Sequence, residues 1–181
     1  NDAGDVNIGT PVIGTGGTIN LPTGALTTTT TFNVLVTNGS CSAELTALAT
    51  VNIDALPDVS LAVTAAADPI CEGSATTIDI ALSETGYSYQ LRNDAGDVNI
   101  GTPVIGTGAT INLPTGNLAT TTTFNVLVTN GTCAVELTTL ATVNIDALPD
   151  VSLSVSAANN PICEANATTI DVALSELGYS Y

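Results

Sequence analysis

The residues most capable of chemistry in this sequence are its four cysteines, Cys41, Cys71, Cys133 and Cys163. No two of them have CxxC spacing, and the sequence has no histidine, so the common zinc-ligand patterns are missing. A near-exact internal repeat makes Cys41 equivalent to Cys133 and Cys71 equivalent to Cys163. Two cysteines in each small unit predict one disulfide per unit in an oxidising compartment, with two free buried thiols as the alternative.

Paired carboxylates are the second candidate for chemistry. Glycoside hydrolases place two carboxylates on either side of the scissile bond, and the nominal pairs here are Glu72 with Asp79 and Asp94 with Asp97. The second pair falls in a predicted surface turn, and both pairs recur in the repeat, so solvated surface acids are the better interpretation. Because histidine and lysine are absent, Ser-His-Asp, Cys-His and Walker-type sites are excluded. We therefore expect a protein that is not an enzyme.

Calcium is the only cofactor that the acidic residues suggest. The segment NDAGDVN at 93–99 has oxygen ligands at alternating positions, but the bidentate glutamate that closes an EF-hand loop is missing. Further aspartates flank Pro57 and Pro149, where an ion would stiffen the junction between tandem domains. The alternative to simple turn chemistry is thus calcium held by Asp54, Asp58, Asp94, Asp97, Asp146 and Asp150.

The charge of the chain limits its partners. Seventeen acidic residues against one arginine and no lysine give a net charge of −16. Nucleic-acid binding requires several basic side chains on phosphates, and Arg92 is the only one, so we expect no nucleic-acid partner. No apolar run of about 18 residues is present, so we expect no membrane insertion. Arg92 itself is expected to pair with a nearby acid.

The cysteines and acids are positioned by a long tandem repeat. The stretch NDAGDVNIGTPVIGTG begins at Asn1 and returns at Asn93, and by direct count 74 of the 89 residues at 1–89 are identical to those at 93–181. The period of 92 is the size of a small domain. Prolines in the NIDALPDVSL segments mark the boundaries. We predict the C-terminal part of one domain at 1–56, a complete domain at 57–148 and the N-terminal part of another at 149–181.

Alternating apolar residues predict strands throughout the complete unit. Turn signals separate these strands every 8–12 residues, as in immunoglobulin-like sandwiches. The fold class is therefore predicted as all-β, with tandem immunoglobulin-like antiparallel β-sandwiches of about seven strands and one disulfide per domain. The alternating residues are Ile78, Ile80 and Leu82; Tyr87, Tyr89 and Leu91; Phe124, Val126 and Val128; and, in one long closing strand, Leu137, Val143 and Ile145.

Several motifs occur together in the order and spacing of a known protein class. These are CEGS before the second strand, GYSYQLR in the third, TTTTFNVLVTNGTC near the end and an ALP linker. The chain resembles, over its whole length, the immunoglobulin-like tandem repeats of giant secreted surface adhesins of Bacteroidota-type bacteria. The resemblance implies export to the cell surface or medium, a Cys71–Cys133 disulfide in each domain, and a stalk or filament role.

Both ends of the sequence fall within the same predicted strand. Either the sequence is a window from a longer repetitive chain, or separate chains assemble head to tail with 149–181 of one completing 1–56 of the next. In both cases Cys163 would pair with a cysteine equivalent to Cys41 in the next unit. We expect a structural repeat in the shaft of an extracellular fibre, whose partners are copies of itself. The alternative is a carbohydrate- or surface-binding immunoglobulin-like module, although aromatic residues for sugar stacking are scarce.

Overall fold

A computed structural model describes residues 2–181, and within them the chain is all-β with no helix, as predicted. No helix in this range is long and apolar enough to cross a membrane. The strands are β1 (Thr30–Phe32), β2 (Leu35–Asn38), β3 (Cys41–Glu44), β4 (Ala49–Val51), β5 (Val63–Ala65), β6 (Ile70–Cys71), β7 (Ala75–Ile80), β8 (Ser88–Asn93), β9 (Val98–Asn99), β10 (Val104–Ile105), β11 (Ile111–Asn117), β12 (Thr122–Asn130), β13 (Cys133–Glu136), β14 (Ala141–Val143), β15 (Ile145–Asp146), β16 (Val155–Ala157) and β17 (Ile170–Val172).

The chain divides into two compact units. The first consists of the residues up to Leu56 together with Asn130–Cys133, and the second of Pro57–Thr129 and Ala134–Tyr181. In the first unit, β1 pairs with β4 and β2 pairs with β3, both antiparallel. The second unit contains the main sheets.

Two sheets of the second unit share one buried core. One has the order β10-β8-β12-β13, with β14 also paired to β12 and β9 to β8; the other has the order β11-β7-β5. Apolar side chains from both sheets form a single cluster, an arrangement consistent with a β-sandwich. Its fully buried members include Ile78 and Ile80 of β7, Leu91 of β8, and Phe124 and Val126 of β12.

The two-residue alternation of the sequence explains which faces are buried. In β7, Ile78 and Ile80 are fully buried, whereas the Asp79 carboxylate between them accepts hydrogen bonds from the side chains of Thr77 and Asn112. The alternation ends earlier than predicted, because Leu82 has a φ of +54° and lies 74% exposed. The predicted long closing strand is instead divided into β13, β14 and β15.

A short parallel pair closes the second unit. Ile145 and Asp146 of β15 pair with Ile70 and Cys71 of β6. The backbone N–H of Glu72 donates to the carbonyl of Asp146 at 2.9 Å. This pairing holds the last strand of the repeat beside one of its first strands.

The incomplete copies at 2–56 and 149–181 reproduce the pairings of the complete copy. Val155 pairs with Val172 in β16–β17 as Val63 pairs with Ile80 in β5–β7. Likewise, β1 pairs with β4 in the register of β12 with β14, since all three of their residue pairs are related by the 92-residue period. The local hydrogen-bond pattern is therefore a property of the repeated sequence.

Candidate functional site

The single arginine of the chain lies among acidic side chains of the second unit. Its guanidinium forms salt bridges with Glu136 and, at 3.5 Å, with Asp97, and its Nε donates to the backbone carbonyl of Asp97 at 3.0 Å. Nδ2 of the buried Asn125 donates to the Asp97 carboxylate at 2.6 Å. Arg92 thus has the acidic partner that the sequence predicted, and Asp97 is occupied by protein donors. The arrangement supports a stabilising network.

Copies of one aspartate turn occur at both proline junctions. The Asp58 carboxylate accepts hydrogen bonds from Ser60, at 2.6 Å from the hydroxyl and 2.8 Å from the backbone N–H. The side-chain and backbone hydrogen bonds from Ser60 hold the pKa of Asp58 below its ordinary value. Asp150 makes the same two contacts with Ser152, and its pKa is lowered in the same way. These two aspartates act as turn acceptors.

The structure does not assemble the six predicted calcium ligands into one site. Within residues 2–181, no three cysteine or acidic side chains are grouped closely enough to hold a metal ion. Asp94 is exposed in the turn after β8, Asp146 lies in β15 beside Cys71, and the carboxylate of Asp54 accepts from the backbone N–H of Thr132 at 3.2 Å. Calcium binding by these aspartates stays a prediction.

The predicted disulfide between Cys71 and Cys133 is not formed. All four cysteines in the described residues are free, and the register of the strands gives the reason. Cys71 lies next to β15, whose Ile145 N–H donates to Thr121 beside the first residue of β12. Cys133 instead follows the last residue of β12, Asn130. A nine-residue strand spans about 27 Å, whereas a disulfide needs Cα atoms about 4.4–6.8 Å apart.

The predicted pairing of Cys163 with a cysteine equivalent to Cys41 involves the next unit and stays a prediction. These residues occupy the same repeat positions as Cys71 and Cys133. In a copy folded like the complete one, they would also lie at opposite ends of a long strand.

The hairpin tip at Asn130–Cys133 contacts residues that lie far away from it in the sequence. Asn130 Nδ2 donates to the Ala55 carbonyl at 3.0 Å, and Cys133 Sγ lies 3.6 Å from the Asp54 carbonyl. Gly131 has a φ of +57°, and a Cβ added to it would overlap the Asp54 carboxylate. Asp54, predicted as a metal ligand, is therefore packed against this tip.

A search against known protein families finds no match to the chain, and a search of curated proteins finds no significant relative. The function must therefore be argued from the geometry itself.

The second unit contains a small groove. It has a volume of about 300 Å³, at the lower limit of ligand sites. Aliphatic and small polar residues line it, namely Leu91, Ile100, Gly101, Thr102, Val104, Asn112, Leu113 and Pro114. None of these is ionisable or aromatic, so the groove offers neither an acid–base pair nor a stacking surface for a sugar ring.

The contact at the hairpin tip could not be predicted from the sequence, because its partners are far apart in the chain. Asn130-Gly131 is recognisable as a turn, but Asp54 and Thr132 are separated by 78 residues and nothing in their local sequence relates them. Asn125 was also missed as a member of the Arg92 network. Its polar side chain at a position flanked by the buried Phe124 and Val126 was the available signal.

Proposed function

We propose that this chain is a non-enzymatic structural repeat that forms the shaft of an extracellular fibre, filament or adhesin stalk. Its units are immunoglobulin-like β-sandwiches that follow one another head to tail. The partner of each unit is another copy of the same unit, either in one continuous chain or in the next chain.

The observation that carries this proposal is a difference in exposure between equivalent residues. Val63 of the complete copy is 4% exposed, whereas its equivalent Val155 is 64% exposed. Tyr89 is fully buried, whereas its equivalent Tyr181 is 66% exposed. Val155 and Tyr181 are thus exposed at repeat positions that are buried in the complete copy, and burial of each large apolar side chain contributes about 1.5–3 kcal/mol.

The two incomplete copies hold complementary halves of that core. Residues 149–181 correspond to 57–89 and supply strands of the β5 and β7 type. Residues 1–56 correspond to 93–148 and supply strands of the β12, β13 and β14 type. Residues 149–181 of one chain and residues 1–56 of the next chain together provide almost a whole sandwich. Repetition of this contact gives an open filament.

The acidic composition supports a fibre that stays separate from its neighbours. Seventeen acidic residues and one arginine give every unit a strong negative charge, so parallel shafts repel each other at low ionic strength. The resemblance to secreted tandem adhesin repeats agrees with a surface location. We expect lateral bundling to increase with added salt.

Head-to-tail completion can be tested by measuring the mass of the 181-residue chain in solution over a wide concentration range, with negative-stain electron microscopy of the largest species. We expect concentration-dependent association into rods. The Ile170→Asp variant should weaken association at least about tenfold, because its equivalent, Ile78, is fully buried and a carboxylate there would be desolvated without a partner.

Leu174→Asp is the matched control. Leu174 is exposed, and its equivalent Leu82 remains 74% exposed in the complete copy, so this change should leave association intact. A chain that stays monomeric at every concentration, or that responds equally to both substitutions, would contradict completion between separate chains and leave only the continuous chain.

A further inference from the structure

Two separate contacts involve the backbone carbonyl at the same position of the repeat. In the first unit, Cys133 Sγ lies 3.6 Å from the carbonyl oxygen of Asp54. In the second unit, the carbonyl oxygen of Asp146 accepts from the N–H of Glu72 at 2.9 Å, and Asp146 is the strand partner of Cys71. Asp54 and Asp146 are the same position of the repeat.

The equivalence of Asp54 and Asp146 places two cysteines beside the same residue. When a complete copy precedes Asp54, the cysteine at its Cys71 position becomes the strand neighbour of Asp54, as Cys71 is of Asp146. Neighbouring strands lie about 4.7–4.9 Å apart. Cys133 of the following copy contacts the same residue from its hairpin tip. Both cysteines are then neighbours of the same residue, Asp54.

We infer that Cys71 of one copy forms a disulfide with Cys133 of the copy that follows it, so that covalent bonds join successive domains. This inference rests on the proposed head-to-tail order. In two copies of the present chain, the same rule pairs Cys71 with Cys41 and Cys163 with Cys133. No such pair lies within a single copy of the chain, in agreement with the free state of all four cysteines in the described residues.

The hairpin tip is held in the position that the bond needs. The Asn130 side chain donates to the carbonyl of Ala55, and the Thr132 N–H donates to the carboxylate of Asp54. A Cβ at Gly131 would overlap the Asp54 carboxylate, so a side chain there would require Asp54 to move. Three consecutive residues of the tip therefore fix Cys133 against the junction.

Bond formation requires an external oxidant, for which we name a small-molecule disulfide. The thiolate of one cysteine attacks a sulfur of this disulfide, which gives a mixed disulfide and releases one thiol. The second thiolate then attacks the protein sulfur and displaces the other thiol. Two protein thiols are oxidised, one external disulfide is reduced to two thiols, and the two protons leave with these products. Cys71 is exposed and Cys133 half-exposed, so both are accessible to the reagent.

The experiment uses a chain in which residues 57–148 occur twice in direct succession. The whole buried core lies within this range, and the junction reproduces the natural Leu148–Pro149 bond. After oxidation with a glutathione disulfide buffer, thiols are counted with a chromogenic disulfide under denaturing conditions. We expect one disulfide and two free thiols, whereas pairing within each copy would leave none.

Pairs of alanine substitutions assign the bond. Cys133→Ala in the first copy with Cys71→Ala in the second leaves only the proposed pair, and the disulfide should form fully. Cys71→Ala in the first copy with Cys133→Ala in the second leaves the two outward cysteines, and the disulfide should be lost. A third variant that keeps Cys71 and Cys133 only in the first copy should also form none.

A disulfide in the third variant, or four free thiols in the unsubstituted tandem chain, would overturn the inference. Because the tandem chain supplies the head-to-tail order covalently, these outcomes do not depend on self-association. Failure of completion between separate chains would appear instead as a failure of the 181-residue chain to associate.

Discussion

The phenolic oxygen of the fully buried Tyr89 accepts a hydrogen bond from the backbone N–H of Glu84 at 2.7 Å. The repeat preserves this contact, because the Tyr181 hydroxyl accepts from the N–H of Glu176 at the same distance. The bond fixes the turn between β7 and β8 to the core, five residues from the tyrosine.

Removal of the Tyr89 hydroxyl should destabilise the second unit. Tyr89→Phe leaves the Glu84 N–H without its acceptor, which costs about 1–3 kcal/mol when the group is buried. We expect this loss in the free energy of unfolding, measured by urea titration. Tyr87→Phe is the control, since the half-buried Tyr87 hydroxyl has no hydrogen bond within residues 2–181, and its loss should change stability little.

The same tyrosine predicts an alkaline limit to stability. Burial raises the pKa of Tyr89, an effect only partly opposed by the Glu84 hydrogen bond. Because the folded pKa lies above the unfolded value of about 10, stability is complete below that pH and falls as the pH rises towards the folded pKa. Unfolding at pH 9 to 11 should show this decline in the natural chain. A decline of equal size in Tyr89→Phe would rule Tyr89 out as its cause.

At low pH the turn aspartates should limit stability. The folded pKa of Asp58 is lowered, so its contribution is present above the ordinary value of about 3.9 and is lost as the pH falls through the folded pKa. Urea unfolding between pH 5 and 2 should show a smaller acid-dependent loss in Ser60→Ala, because the hydroxyl that lowers the pKa is removed. An unchanged pH profile would contradict the assigned role of Ser60.

Removal of the Arg92 charge should leave the carboxylates of Asp97 and Glu136 without their shared positive partner. Arg92→Met keeps an apolar stem but removes the partner of Asp97 and Glu136. Both carboxylates are about half exposed, so we expect a loss of about 1 kcal/mol in low salt that becomes smaller in high salt. Arg92→Lys should recover only part of it, since lysine cannot reproduce the Nε bond to Asp97. A salt-independent loss in Arg92→Met would indicate a packing effect instead.

Gly131 should be the glycine of the hairpin tips that tolerates change least. Gly131 and its equivalent Gly39 have similar φ angles of +57° and +60°, but only Gly131 has Asp54 against the place of a Cβ. Both alanine variants carry the cost of a left-handed residue, about 1 kcal/mol. Only Gly131→Ala should also displace the tip and make the Cys133 thiol react faster with a maleimide. Equal thiol rates in the two variants would contradict the described packing at Asp54.

The sequence was most informative about local strand faces. The alternation at Ile78 and Ile80, and at Phe124 and Val126, identified core residues correctly because side chains on a strand point to opposite faces every two residues. Leu82 broke the pattern, since a positive φ at that position turns the chain away from the sheet.

Long-range partners could not be predicted in the same way. The position of Cys133 depends on which end of β12 carries the turn, and the role of Asp54 depends on a tip 78 residues away. The turn itself is recognisable at Asn130-Gly131, but its contact with Asp54 is not encoded in neighbouring residues. The sequence alone gives two cysteines per repeat, whereas the choice of partner stays a prediction.

The parallel pairing of β6 with β15 determines how a pulled domain would fail. Tension that enters before Pro57 acts first on β5, and once it reaches β6 it draws β6 and β15 in opposite directions along their own axes. The hydrogen bonds at Ile70 and Glu72 lie across that direction and would have to break together rather than one after another. This geometry loads the closing strands in shear and should make each domain resist extension in single-molecule force spectroscopy.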